Sequence, residues 1–333
     1  MMSWPKISVI IPTVNRSAVR AAVLSALNQN YAPYEVIVAV DRSDNQVPQV
    51  LHDLCDKIRV VFSGGVGPSG ARMRAVSESS GEIIAFLDDD DQWYPEKLER
   101  QVAMWSTGDA KRHRLLSCRF VMTGADGKTQ RPLPARLIAP DERLAAYLFR
   151  RTSIGYWEGA IHPSTLMCDR DLLTKEPWDA SKRLHEDWEW MLRVGARSDV
   201  EILMSPDVLV EISTSDKQSL SRAPDWRLSF SWVQENTGFL RPREIGDFLL
   251  GYTAVMAIWS GNRRASLRVA WYALRKAKPG LHSWLVWMFN LLPPMLVNSG
   301  SNLLHRLVKR NARAVEQADL TNTGFPGLYT ESQ

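Results

Sequence analysis

Apolar residues in the first 120 positions come in short β-branched runs separated by longer stretches with helical spacing. The runs are Ile7–Ile11, Glu35–Val40, Ile58–Phe62 and Ile83–Leu87. Between them, Ser17–Gln29, Pro48–Asp56 and Ser69–Ser79 read as helices. Strands alternating with helices of this length predict right-handed βαβ units and a mainly parallel sheet buried on both faces. Ligands of such sheets bind beyond the carboxyl ends of the strands, so chemistry is expected just after each run.

The pattern then loosens. Thr123–Pro140 is rich in Gly, Pro and polar residues and reads as a loop with an insertion. Apolar positions resume at Leu144–Phe149, Glu186–Val194 is helical, and Ile202–Ile212 reads as a strand. The polar segment Ser213–Asp225 is a loop, within which Arg222 has two equal readings, closing on a diphosphate or standing in a plain solvated loop. After Trp226 the chain becomes helical and rich in Trp. Asn262–Lys278 is an amphipathic helix with Leu267, Trp271 and Leu274 on one face. Leu281–Leu292 is apolar but stops at Pro293-Pro294, short of the roughly 20 residues that a membrane-spanning helix needs. Two regions are expected, an α/β domain over 1–235 and a helical, basic and aromatic region over 236–333.

Composition changes this picture mainly through charge. The 333 residues are 45% hydrophobic and 23% charged, as in a globular chain. The net charge is +4, but no acidic residue occurs between Phe248 and Val315, where ten of the 41 Lys and Arg lie. The remaining 31 basic residues face all 37 acidic ones, so an acidic body carries a cationic appendage. Basic residues beside Trp and Leu fit an anionic membrane surface, the alternative being a helical subdomain that packs its Trp and Leu against the core. Nucleic acid is not an expected partner, because the basic stretch is apolar and has no RNA-binding motif. Cys55, Cys118 and Cys168 have no CxxC spacing and read as reduced thiols, and no signal peptide is read at the N-terminus. The expected location is cytoplasmic, peripheral at the inner face of the plasma membrane.

The strongest chemical feature is Asp88-Asp89-Asp90-Asp91 directly after the Ile83–Leu87 run. Four adjacent carboxylates at a strand end repel one another unless a cation or hydrogen-bond donors are present. Oxygen ligands of this kind suit Mn²⁺ or Mg²⁺. Gly65-Val-Gly-Pro-Ser-Gly70 matches the dinucleotide fingerprint literally, which keeps an NAD-dependent oxidoreductase as an alternative. Pro68 and the position outside the first βα unit count against it.

Taken together the segments resemble the family 2 glycosyltransferases. The matching residues are Ile7 to Arg16, Ser25 to Gln29, Glu35 to Ser43, Gly70 to Arg72, Gly81 to Trp93, His162 to Met167 and His185 to Arg193. The resemblance implies the GT-A fold, a Rossmann-like mainly parallel sheet with flanking helices. It also implies transfer of one sugar from a nucleotide-sugar, a UDP-sugar in the first instance, to a hydroxyl of a glycan or lipid-linked acceptor, with inversion. By this resemblance Pro12, Thr13, Asn15, Arg16, Asp41, Arg72, Asp88 and Asp89 line the donor pocket. Asp90 and Asp88 hold the metal, Asp187 is the general base, and Glu186 orients it. His162 and His185 read first as structural groups. Val14, Val40, Arg42 and Met73 depart from the family pattern around the nucleotide. The chain has no Arg-Trp dipeptide of the processive synthases, so single-sugar addition is expected. A non-catalytic membrane-associated module of the same fold is the remaining alternative.

Overall fold

The computed structural model describes residues 5–108, 112–124, 131–182, 184–214 and 225–292. Strands β1 (Ile7–Thr13), β2 (Glu35–Val40), β3 (Arg59–Phe62) and β4 (Ile83–Phe86) run parallel, with Val9 opposite both Val36 and Ala85. They continue into β7 (Met167–Asp169), β6 (His113–Thr123), β8 (Val200–Ser213) and β5 (Gln92–Trp93), giving the order β3-β2-β1-β4-β7-β6-β8-β5. The expected α/β fold with a mainly parallel sheet is therefore present. Strands β5, β6 and β7 were not anticipated. Strand β7 lies antiparallel against β4, and β6 pairs with β8 from His113 to Thr123 with bulges around Arg119.

Helices cover both faces because every residue of β1 is buried and needs apolar partners on each side. One face packs against α1 (Val19–Leu27) and α3 (Lys97–Trp105) through Val19, Val23, Leu98 and Trp105. The other packs against α2 (Pro68–Glu78), α4 (Leu144–Phe149), α5 (Arg170–Lys175) and α6 (Glu186–Gly195) through Ala71, Ala75, Leu144, Leu172 and Trp190. The stretch expected as a helix over Pro48–Asp56 forms only a 3₁₀ turn, Gln49–Leu54.

A third layer follows. Helices α7 (Trp226–Glu235), α8 (Pro242–Phe248), α9 (Ala254–Trp259), α10 (Arg263–Lys276) and α11 (Leu281–Leu291) gather around Trp232, Phe248 and Val269. A π-helical turn, Leu249–Thr253, joins α8 to α9. The cluster also takes in Phe149 of α4 and Leu192 of α6, so α6 is held between the sheet and the C-terminal helices. In α10, Asn262 caps the first turn by accepting from the Ala265 N–H. Its small residues Ala265, Val269, Ala270 and Ala273 face inward, while Leu267, Trp271 and Leu274 are 52%, 58% and 62% exposed. Among the described residues no helix is long and apolar enough to cross a membrane. Arg222, Pro293-Pro294 and the basic residues from Arg306 onward lie outside the described residues.

Candidate active site

The strand order 3-2-1-4 places a crevice between the carboxyl ends of β1 and β4, where the chain directions on the two sides diverge. Both strands deliver polar side chains to it. Pro12 and Thr13 end β1, and the Thr13 hydroxyl donates to Asp89 at 2.6 Å. Asn15 takes a left-handed conformation, φ 74°, and its N–H bonds the Thr13 hydroxyl. That turn carries Arg16 onto Asp89 at 3.1 Å and Asp90 at 3.4 Å.

Asp41 follows β2 and is committed to a loop. Its carboxylate accepts from the Ser63 hydroxyl and from the Val66 and Gly67 amides, at 2.7 to 2.8 Å. Gly64, Gly65 and Gly67 all have φ near +80°, the conformation that such a turn needs and that glycine adopts without strain. Two amides of the Gly65–Gly70 loop are thus already bonded to protein, which weighs against a pyrophosphate cradle.

Asp88 and Asp91 point the other way, toward the segment before β7. The Ser164 hydroxyl donates to Asp91 at 2.5 Å and accepts the Asp88 N–H at 3.0 Å. Asp91 also accepts the Ser213 N–H at 3.1 Å, and His162 Nδ1 stands 3.5 Å from its carboxylate. Asp88, Asp91 and His162 each offer a ligand atom within 4.8 Å of the others. The expected ligand Asp88 belongs to this group. Asp90, also expected, does not; it is turned toward Arg16. His162 joins Asp91 because β7 lies against β4, a pairing across about 80 residues with no local signature.

Crowding sets the electrostatics. Burial, Asp88 and Asp89 push the Asp90 carboxyl up to about 6, and burial with Asp88 and Asp90 raises Asp91 well above its ordinary value. Burial also opposes ionisation of Asp88, but Arg72 and His162 outweigh it and hold Asp88 low. The group has an excess of negative charge that a cation would relieve.

Arg72 connects this wall to a second one. It is buried on α2, donates to Asp88 at 2.5 Å and stacks over Trp178 at 4.8 Å. Its Nε and Nη1 have no hydrogen-bond partner among the described residues. Besides Asp88, the carboxylates of Glu186 and Asp187 act on it electrostatically. Those two residues open α6, so the expected base and its neighbour face the same arginine as the donor-side aspartate. Burial, then Glu186, push Asp187 up to about 7.

His185 precedes them in a left-handed conformation, φ 60°. Its Nε2 meets the Ser229 hydroxyl at 2.6 Å and its ring stacks on Trp188 at 4.5 Å. Burial lowers it to about 3, so it is a neutral packing group that ties α6 to α7. The structural reading of His185 stands, whereas His162 lies at the acidic group.

Residues 8–136 match the family model described as Glycosyl transferase family 2. That stretch is similar to the family 2 glycosyltransferases. The chain is 28% identical over 200 residues to the amylovoran biosynthesis glycosyltransferase AmsB of Erwinia amylovora, covering 56% of this chain and 62% of that one. It is 39% identical over 101 residues to the UDP-Glc:α-D-GlcNAc-diphosphoundecaprenol β-1,3-glucosyltransferase WfgD of Escherichia coli, covering 29% and 40%. The matches therefore span less than two-thirds of either relative. Among solved structures, Staphylococcus aureus TarS 1–349 in complex with UDP-GlcNAc superposes with a TM-score of 0.50 at 18% identity, covering 86% of this chain and 79% of that one. That likeness shows the GT-A fold for this chain.

The donor set fits a hard divalent ion. Two carboxylates and an imidazole suit Mn²⁺ or Mg²⁺ better than a soft metal, and the surplus negative charge favours binding. Sequence reasoning missed Asp91, Ser164 and Trp178 as parts of the site. The His162-Pro-Ser-Thr-Leu-Met167 segment was the available signal for the first two.

Proposed function

We propose that this protein is a family 2 glycosyltransferase that transfers one sugar, with inversion, from a nucleotide-sugar to a hydroxyl of a glycan or lipid-linked acceptor. The donor is a UDP-sugar, a choice supported by the UDP-Glc in the name of the relative WfgD. The observation that carries the proposal is Arg72. A buried guanidinium with two nitrogens unpartnered among the described residues, set between Asp88 and the Glu186–Asp187 pair, is a receptor for an anionic group.

Asp88, Asp91 and His162 would hold Mn²⁺ or Mg²⁺, with Asp90 and Asp89 kept beside Arg16. Bound there, the ion supplies Lewis-acid stabilisation to the diphosphate leaving group. The free nitrogens of Arg72 donate to the same diphosphate, and Thr13, Asn15, Arg16 and Asp41 border the nucleotide. Asp187 takes the proton of the attacking acceptor hydroxyl, a step typically worth about 10²–10⁴ in rate. Glu186, adjacent, keeps that carboxyl basic enough to do so. Attack from the α6 side, opposite the diphosphate, inverts the anomeric centre.

Isothermal titration with UDP tests the reading. Binding is expected with Mn²⁺ present and is lost in Asp91→Ala. UDP binding that ignores both the metal and the substitution would sink it, and NADH binding in its place would restore the oxidoreductase alternative.

The proposal includes peripheral attachment to the inner face of the plasma membrane, supported by the outward Leu267, Trp271 and Leu274 of α10 beside Arg264, Arg268 and Arg275. Co-sedimentation with phosphatidylglycerol vesicles is expected, and should fall in the double variant Trp271→Ser with Leu274→Ser. Unchanged sedimentation of that variant, or none by the parent, refutes attachment through α10.

A further inference from the structure

Next to the candidate base lies a cavity of about 250 Å³ that neither the donor pocket nor the metal group uses. One wall is the segment 151–161; the other is the π-helical turn and α9. Trp188, adjacent to Asp187, and Ile161, adjacent to His162, both line it, so the cavity borders both halves of the site. Tyr252, also in its wall, feels the Asp187 charge.

Three independent features mark it as a built site. Trp157 holds a left-handed backbone, φ 61°, which costs a bulky residue conformational energy and presents its ring at the rim. Such π-helical turns, like the one that carries Tyr252 and Gly251, recur at functional sites. Glu158 has one buried carboxylate oxygen, Oε1, with no hydrogen-bond partner among the described residues, while Oε2 accepts the Thr152 N–H at 2.8 Å. A buried acceptor left unmatched is costly unless a ligand supplies the donor. Trp259, 67% exposed, stands at the mouth and donates to Asn290 Oδ1 at 3.1 Å; Asn290 in turn donates to the Tyr156 hydroxyl at 3.2 Å.

Aromatic walls with one inward acceptor match a pyranose better than a lipid chain. A sugar ring has an apolar C–H face to lie on an indole and hydroxyls to donate at its edge, whereas an alkyl chain would leave Glu158 unpaired. We propose that this cavity binds a pyranose of the glycan acceptor, with Trp157, Trp188 and Trp259 against its C–H face and Glu158 Oε1 accepting from a hydroxyl. The inference rests on the glycosyltransferase reading and deepens it, assigning acceptor recognition to the C-terminal helical layer.

The test is tryptophan fluorescence titrated with the methyl glycosides of glucose, galactose, N-acetylglucosamine and rhamnose, on the full chain with UDP and Mn²⁺ bound. A saturable change is expected with at least one glycoside. It should weaken about five- to tenfold in Trp259→Ala and largely recover in Trp259→Phe, with UDP affinity unchanged in both. Trp259 is mostly exposed, so its loss leaves the fold intact; Glu158→Gln provides a second variant expected to weaken binding. Loss of UDP binding by the parent would break the function proposed above. Normal UDP binding with no response to any glycoside, or equal affinity in parent and Trp259→Ala, overturns this inference alone. A response to decanol but to no glycoside assigns the cavity to a lipid chain and likewise overturns it.

Discussion

Two buried cations in this protein look alike until their surroundings are compared. Arg72 on α2 and Lys97 at the start of α3 are 4% and 0% exposed. Each lies over an indole, Trp178 at 4.8 Å and Trp93 at 3.8 Å, and each has nitrogen without a hydrogen-bond partner among the described residues. Around Arg72 stand Asp88, Glu186 and Asp187, whose charges outweigh burial and keep it firmly protonated. Around Lys97 the titratable neighbour is Cys118, a thiol that burial pushes up to about 12, and Lys97 itself is driven down to about 7. A buried cation therefore marks a site only where opposite charge surrounds it and donors remain to be used. Lys97 is buried and its ammonium has donors to spare among the described residues, but no opposite charge surrounds it.

The larger test of that contrast removes Arg72. Burial and Glu186 hold Asp187 at about 7 while Arg72 pulls it down. A carboxylate acting as base must be ionised, so sugar transfer by the parent protein should rise with pH through about 7. In Arg72→Met the pull is gone, so the midpoint moves upward. Transfer measured at the plateau falls by roughly 10²–10³, the usual loss when one donor to a developing anion is removed. Arg72→Lys keeps a charge but not the forked donors, and should restore the midpoint more than the rate. A pH profile that Arg72→Met leaves in place would separate Asp187 from Arg72 and break the link between the two walls.

How much of this was legible in the sequence follows from the range of each interaction. The parallel strands β1 to β4 announce themselves through β-branched runs, and the Asp88–Asp91 run follows the last of them in plain view. Strand β6, whose residues His113, Arg114 and Arg119 break the apolar run, does not. Nor does the meeting of Asp91 with His162, which depends on the three-residue strand β7 finding β4. The helical spacing of α10 was readable, but its orientation was not. Periodicity groups Leu267, Trp271 and Leu274 on one face without saying whether that face meets the core or the solvent. The small residues on the opposite face pack closely against the neighbouring helices, and that settled it. Asp187 was locally indistinguishable from an acidic first turn; only its proximity to Arg72 gives it a partner.

The smaller test acts on stability and should leave chemistry alone. Lys97 carries its proton in the unfolded chain up to about 10.5, but in the folded protein only up to about 7. Between those values the unfolded state binds more protons, so this group makes stability rise with pH across the window; below about 7 its burial penalty is fully present. Lys97→Met keeps the stem's packing over Trp93 and removes the ammonium. The variant should gain about 1–4 kcal/mol at neutral pH, the range seen when buried charge is replaced by matched apolar volume. Part of that gain is offset by the lost contact with the indole face, worth about 0.5–2 kcal/mol. Urea midpoints measured from pH 7 to 10 should climb in the parent and flatten in the variant. Destabilisation of Lys97→Met across that range would mean that the Trp93 indole alone solvates the ammonium well, and the contrast with Arg72 would then be one of degree.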